Sequence, residues 1–396
     1  MDRPDGTGTG ALPLRQRRGV PARHPVDPAE LPPVLRRMLD RARTELAGEL
    51  IGVTVAGTPV SGLFPVRSTG VSTRPVVAAA EAFLAALPAG LAADARFAVD
   101  GRQWRAWSNV HANLTRHGVC LSDLADAPRD AALGLLRATL GPAGYRTARD
   151  VMRLNDHVRE VTGRRDEYGE WYYWLSVMGT PSASEPWGWQ LDGHHLAVNC
   201  FVLGDQIVLT PTFLGSEPVR ADSGRYAGTR VFAEEEARGL ALMRALTADQ
   251  RDAAVIGTGL PADVLTTAFH DNEVLPYQGI RADRLDRDQR IALDDLLGTY
   301  VDRMRPGHAE VRRAEVREHL ADTHFAWIGG TGPDSPFYYR VHSPVILVEF
   351  DHQPGLIFDV DQPSRHHVHT VVRTPNGNDY GADLLRQHYA RHHSRG

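Results

Sequence analysis

The first half of the chain shows helical spacing of its apolar residues. They recur three and four positions apart, so each segment would bury one stripe of its surface. This spacing predicts helices over residues 31–50, 77–87 and 122–162, with a break between the glycines at 141 and 144. Residues 1–30 lack periodicity and are rich in Gly, Pro and Arg, which predicts a disordered tail.

After residue 166 the pattern changes to that of β-strands. Aromatic and β-branched runs are separated by turn residues. The predicted strands are 171–178, 187–203, 206–210, 323–328, 337–342, 345–352 and 366–373, and further helices are predicted over 233–255, 283–305, 307–320 and 382–390. We predict a single large α+β domain over 31–396, helix-rich at 31–165 and strand-rich at 166–390. Its core would be a mostly antiparallel β-sheet or a barrel-like sheet, decorated by helices.

The composition excludes several classes of function. All 44 basic residues are arginine, so Schiff-base, P-loop and protein-kinase chemistry, which need a lysine, are excluded. A formal net charge of −5 argues against general binding to nucleic acid or anionic membranes. Two cysteines cannot build a tetrathiolate zinc site or a disulfide framework. Because we find no bilayer-length apolar run and no signal sequence, we expect a cytoplasmic protein.

Histidines interrupt the predicted strands in two places. In the first, His194 and His195 are adjacent, and a regular strand would point them to opposite faces. His195 shares its face with Ala197 and Asn199 and is the preferred ligand, with His194 as the alternative. In the second, His367 and His369 share one strand face about 6–7 Å apart, so both imidazoles can reach one ion.

An acidic residue completes the predicted site. Glu349 lies in a run so apolar that an unpaired carboxylate there would be costly. Together with the histidines it predicts one divalent transition metal (Fe, Mn, Cu or Zn) held by His195, Glu349, His367 and His369. The alternative is that these histidines form hydrogen bonds in a polar core.

Three further residues are candidates for catalytic roles. Asp192 and Asp351 are predicted to orient a ligating imidazole or to act as a general base. Arg373 shares the strand face of His367 and His369, which favours binding of an anionic substrate, with a salt bridge as the alternative.

Such a site is compatible with three functions. A non-haem metal oxidoreductase or oxygenase acting on a small organic substrate is favoured, because the ligand set leaves positions open for dioxygen and substrate. A zinc or manganese hydrolase or lyase would use a metal-activated water instead. A metal- or ligand-binding protein without catalysis is the third. The expected partner is a small-molecule substrate, and formation of a homo-oligomer stays open.

The same segments resemble a family of unknown function, numbered 3500, found in bacteria and fungi. The matching residues are 186–196, 210–218, 337–340, 349–351, 367–369 and 378–381. The resemblance implies that the histidine-bearing segments belong to the family pattern. It implies no activity and no role for any residue.

Overall fold

A computed structural model of the protein describes residues 12–392, with the side chain of residue 392 left out. The first part of the predicted tail, residues 1–11, lies outside this range. Residues 12–30, in contrast, contact the rest of the chain. Leu14 pairs with Phe358 in an isolated antiparallel bridge, and Val20 and Ala22 are buried. The predicted disorder therefore does not describe residues 12–30, because their few apolar side chains find buried sites.

Within residues 12–392, a sheet of thirteen strands lies at the centre of the structure. The strands are β1 Arg96–Phe97, β2 Val119–Cys120, β3 Tyr173–Met178, β4 Trp187–Gly193, β5 Leu196–Leu203, β6 Gln206–Val208, β7 Thr212–Ser216, β8 Val255–Gly257, β9 Ile280–Arg281, β10 His324–Gly329, β11 Phe337–His342, β12 Leu347–His352 and β13 Val368–Arg373. The main path of the sheet runs β1-β3-β4-β5-β7-β13-β12-β11-β10-β8, and β2, β6 and β9 pair with β3, β5 and β10. All pairings of these strands are antiparallel except β1 with β3 and β8 with β10.

Helices and 3-10 turns surround this sheet, which confirms the predicted α+β class. The sheet is open rather than closed into a barrel. The α-helices are α1 Pro33–Ala47, α2 Arg74–Ala86, α3 Ala89–Asp94, α4 Asp126–Thr139, α5 Pro142–Thr162, α6 Ala233–Ala245, α7 Ala248–Ala254, α8 Arg287–Val301, α9 His308–Glu318 and α10 Ala382–His392. Within residues 12–392, none of these helices has the length and apolar character needed to cross a membrane.

The predicted strand over 187–203 is divided by a tight turn. Gly193 at the end of β4 pairs with Leu196 at the start of β5, and His194 and His195 form the turn between them. His195 adopts a left-handed φ of 60°, which is uncommon outside glycine and costs energy unless the surroundings hold it. Backbone hydrogen bonds to Asn109 and from Gly215 hold it. The sequence pattern missed this turn because apolar residues continue through it on both sides.

The two faces of the sheet differ in character. One face carries the apolar residues of each alternation, such as Leu191, Val198 and Phe350, and packs against α2, α4, α5, α6 and α8 in the largest hydrophobic core. The other carries polar residues in register across strands: His369 lies beside Asp351, and Asp351 lies beside Tyr338. Loop residues 265 and 266 lie over this polar face, α1 and α10 pack against it as well, and the face positions the candidate site.

Candidate metal centre

Three imidazoles meet on the polar face. His195 comes from the β4–β5 turn, His367 from the residue before β13, and His369 from β13 itself. The Nε2 atom of His367 lies 3.3 Å from Nε2 of His195 and 3.0 Å from Nε2 of His369. Two nitrogen ligands of one tetrahedral zinc ion are about 3.3 Å apart, given zinc–nitrogen bonds of about 2.0–2.1 Å. The spacing of the three nitrogens therefore fits a single metal ion.

The partners of the opposite ring nitrogens decide the tautomers. Nδ1 of His369 lies 2.7 Å from the carboxylate of Asp263, and Nδ1 of His367 lies 2.7 Å from the carbonyl oxygen of Pro354. Both oxygens accept hydrogen bonds, so each Nδ1 carries a proton, and in the neutral form of the ring each Nε2 presents a lone pair. Two lone pairs 3.0 Å apart repel each other unless a cation lies between them. Metal-ligating histidines show this same arrangement, with the outer nitrogen held by a carboxylate or carbonyl.

Gly215 in β7 allows the imidazoles to approach each other. A Cβ atom at this position would lie 2.8 Å from Cδ2 of His369 and 3.1 Å from Cδ2 of His195. The first distance is shorter than real side chains tolerate. A residue with a side chain at 215 would therefore force the rings apart.

The centre is almost closed to solvent. The exposed fractions of His195, His367 and His369 are 6%, 1% and 5%. Burial, reinforced by the neighbouring imidazoles, lowers the pKa of His195 and His367 well below the usual range. Both rings are therefore neutral near pH 7, which is the state that binds a metal.

The structure does not bring Glu349 into this cluster. One carboxylate oxygen accepts hydrogen bonds from Leu265 N (2.8 Å) and the Tyr338 hydroxyl (2.7 Å). The other accepts from the backbone nitrogen and hydroxyl of Thr266. The metal-type grouping found among the described residues comprises the three histidines alone. The burial of this acid, which suggested a metal ligand, is instead compensated by neutral donors from Tyr338 in β11 and from a loop that sequence periodicity does not reveal.

Asp192 and Arg373 also have other partners. Asp192 accepts hydrogen bonds from Arg116 and from Ser108 N, and no hydrogen bond joins it to the three imidazoles in the part of the chain that the structure describes. Arg373 forms ion pairs with Asp271 at 2.7 Å and Asp379 at 3.1 Å. Its remaining donors bind the carbonyl oxygens of residues 266 and 267. No N–H group of Arg373 is left to bind a substrate. Arg373 therefore forms salt bridges, as the alternative interpretation predicted, and these lie in the interior of the protein.

His194 lies next to the cluster and is not part of it. Its ring stacks on that of His195 with centroids 4.0 Å apart, and its Nδ1 lies 2.8 Å from Oδ1 of Asn155. The rings of Tyr168 and His111 approach it at 5.3 and 5.7 Å. Of the two adjacent histidines, the structure therefore brings His195 to the site and uses His194 as its support.

Three acidic residues surround the imidazoles. Asp351 faces His369 across the β12–β13 register; its Oδ2 accepts from Gln353, and its buried Oδ1 has no hydrogen-bond partner. Glu217 lies 3.5 Å from Nδ1 of His367 and is held by the backbone nitrogens of residues 356–358. The sequence analysis identified neither Asp263 nor Glu217. Asp263 lies in a loop without a recognisable pattern, so nothing in the sequence pointed to it. Glu217 had a signal, since it belongs to the segment 210–218 that carries the family resemblance.

These features define an α+β protein whose open, mostly antiparallel sheet carries a buried three-histidine cluster on its polar face. The family described as "Protein of unknown function (DUF3500)" matches residues 69–382, and the chain belongs to this family. No curated protein and no solved structure matches the chain. The family match includes all three histidines.

Proposed function

We propose that this protein is a metal-dependent enzyme that holds one divalent transition metal through Nε2 of His195, His367 and His369. The observation that carries the proposal is the separation of 3.0 Å between Nε2 of His367 and Nε2 of His369, where two lone pairs would repel each other. Their protonation is determined by acceptors on the far side of each ring. A cation between the three nitrogens would remove this repulsion, and no cationic side chain is hydrogen-bonded to them within residues 12–392.

The ligand set favours hydrolysis or lyase chemistry. Three neutral histidines without a thiolate are the ligands of catalytic zinc in carbonic anhydrase, with a fourth position for water. The oxidoreductase hypothesis depended partly on Glu349 as a fourth ligand, and Glu349 is occupied by other donors. A metal bound here would lower the pKa of a coordinated water and supply a nucleophile near pH 7.

The chain offers two acids for roles beside that metal. Asp351 has a free buried oxygen next to His369, and a carboxyl oxygen at this position can exchange a proton with a water or substrate bound near the imidazoles. Asp263 holds His369 through Nδ1, and its side chain is 32% exposed. Asp263 is thus a positioning residue at the border with solvent, where a small-molecule substrate would enter.

A second candidate is a non-haem metal oxidoreductase or oxygenase. It is favoured by the same nitrogen-only, thiolate-free cluster, which suits Fe, Mn and Cu as well as Zn and leaves more than one coordination position open. The identity of the metal and a dependence of turnover on dioxygen distinguish the two candidates. A cytoplasmic location remains a prediction from the sequence.

Elemental analysis of protein purified without an affinity tag tests the proposal. We expect about one metal per chain in the wild type, and a loss of nearly all of it in the His367→Ala, His369→Ala double variant. A matched control is the His24→Ala, His319→Ala double variant, because it removes two histidines outside the cluster. Wild-type metal content in the cluster variant, with the fold retained by circular dichroism, would contradict the proposal.

A further inference from the structure

Arg340 is a buried cation without a carboxylate partner. It lies in β11, next to Glu349 in the register with β12, and its exposed fraction is 1%. Its Nη2 donates to Oε1 of Gln278 at 2.8 Å. Its Nε and Nη1 atoms are buried and have no hydrogen-bond partner. Because burying an unpaired charge is costly, this arrangement needs an explanation.

The other buried arginines show what a structural role requires. Each of them forms an ion pair: Arg105 with Asp271, Arg149 with Glu170, Arg303 with Glu235, and Arg373 with Asp271 and Asp379. Glu349, the acid nearest to Arg340 by register, directs its oxygens to Leu265, Thr266 and Tyr338. Among the five buried arginines within residues 12–392, Arg340 is thus the one that forms no ion pair.

A second unsatisfied group lies beside it. His342 is two positions further along β11 and shares the strand face of Arg340, and both of its ring nitrogens are buried without a partner. The ring of Tyr277 contacts His342 edge-on, with centroids 4.7 Å apart. On the neighbouring strand β10, the residue opposite Arg340 is Ala326. Gln278, the partner of Arg340, is exposed, so we place the entrance for a ligand beside it.

We propose that Arg340 and His342 form a binding site for a small monoanionic carboxylate, which enters beside Gln278. Burial and the charge of Arg340 lower the pKa of His342 to about 3, so its ring is neutral near pH 7. The site therefore supplies one positive charge, which a carboxylate matches and a phosphate dianion exceeds. The site shares no residue with the three-histidine cluster, so its test is independent of the proposed metal.

Calorimetric titration with acetate tests this site. We expect saturable binding of one acetate to the wild type, and affinity lower by about tenfold or more in Arg340→Gln. The control variant is Arg43→Gln, which removes a charge from an exposed position on α1 and should bind as the wild type does. Inorganic phosphate, titrated in parallel, should bind more weakly than acetate.

Three results would overturn the assignment. They are absence of saturable acetate binding in the wild type, equal acetate binding by Arg340→Gln, and phosphate binding as tight as that of acetate. Because the wild-type titrations decide two of these, the test does not depend on the variant folding. If Arg340→Gln does not fold, Arg340→Lys, which keeps the charge but not the guanidinium donors, should still bind acetate more weakly than the wild type.

Discussion

The two faces of the central sheet arise from the same strands and are equally buried, but different interactions hold them. In β12, Val348 and Phe350 point into the largest hydrophobic core, whereas Glu349 and Asp351 point to the polar face. On the apolar face, many non-directional hydrophobic contacts together supply the stability. On the polar face, each buried group depends on one or two specific partners.

The partners on the polar face separate structural residues from candidate functional ones. Glu349 and Arg373 have a full set of donors or acceptors within the protein. Asp351 and Arg340 keep buried atoms without a partner, and the Nε2 atoms of His195, His367 and His369 face one another, although all five residues are as deeply buried. Both of our proposals therefore rest on buried groups of this face that lack a full set of partners within the protein, and not on burial alone.

The largest effect is expected for a residue of the polar face whose hydrogen-bonding groups all have partners within the protein. Arg373→Met would leave Asp271 and Asp379 buried with less compensation, because it removes both ion pairs. We expect the free energy of unfolding, measured by urea titration, to fall by about 3–5 kcal/mol. Arg43→Met, at an exposed site, is the control. A change near zero would mean that the ion pairs of Arg373 do not stabilise the polar face.

A truncation on the apolar face should affect stability alone. Leu191→Ala leaves a cavity in the main core, and we expect a loss of about 2–5 kcal/mol in urea titration. The metal content of the folded variant should equal that of the wild type. Leu356→Ala, at a residue that is 61% exposed, is the control. Loss of metal without loss of stability would show that the faces are coupled.

A change beside the candidate metal should affect affinity more than stability. Asp263→Asn removes the charge that holds Nδ1 of His369. We expect metal affinity, measured by competition with a chelator, to fall by about 10- to 100-fold. The free energy of unfolding of the metal-free protein should change little, because Asp263 is partly exposed. Asp361→Asn, at an exposed carboxylate, should leave affinity unchanged.

The smallest effect concerns pH. Burial, followed by the charge of Arg340, lowers the pKa of His342 to about 3 in the folded protein, from 6.5 when unfolded. Between these values the unfolded chain binds a proton that the folded chain does not, so stability falls as pH falls below 6.5. The contribution is at most about 1.4 kcal/mol per pH unit. His342→Leu should therefore show a shallower loss of stability on acidification, measured by urea titration, whereas the exposed-site variant His24→Leu should not.

Local patterns in the chain were sufficient for most of the elements. Within residues 12–392, periodicity located every α-helix except α3 and most of the strands, because each of these elements buries one stripe or one face. The positions of His367 and His369 on one strand face followed from the same alternation, and the structure places their Nε2 atoms 3.0 Å apart. The pattern could not locate the β4–β5 turn, where the backbone of His195 is held by Asn109 and Gly215.

The sequence by itself determined the α+β class, the strand alternation that produces an apolar and a polar face, and the absence of lysine chemistry. Only the tertiary structure decided which polar residues meet. It brought His195 next to His367, which is 172 positions away in the chain. It also placed the carboxylate of Asp263 against Nδ1 of His369 and a loop nitrogen against the carboxylate of Glu349. The physical reason is that periodicity reports which face a residue occupies, whereas a binding site depends on distances between segments that local spacing does not encode.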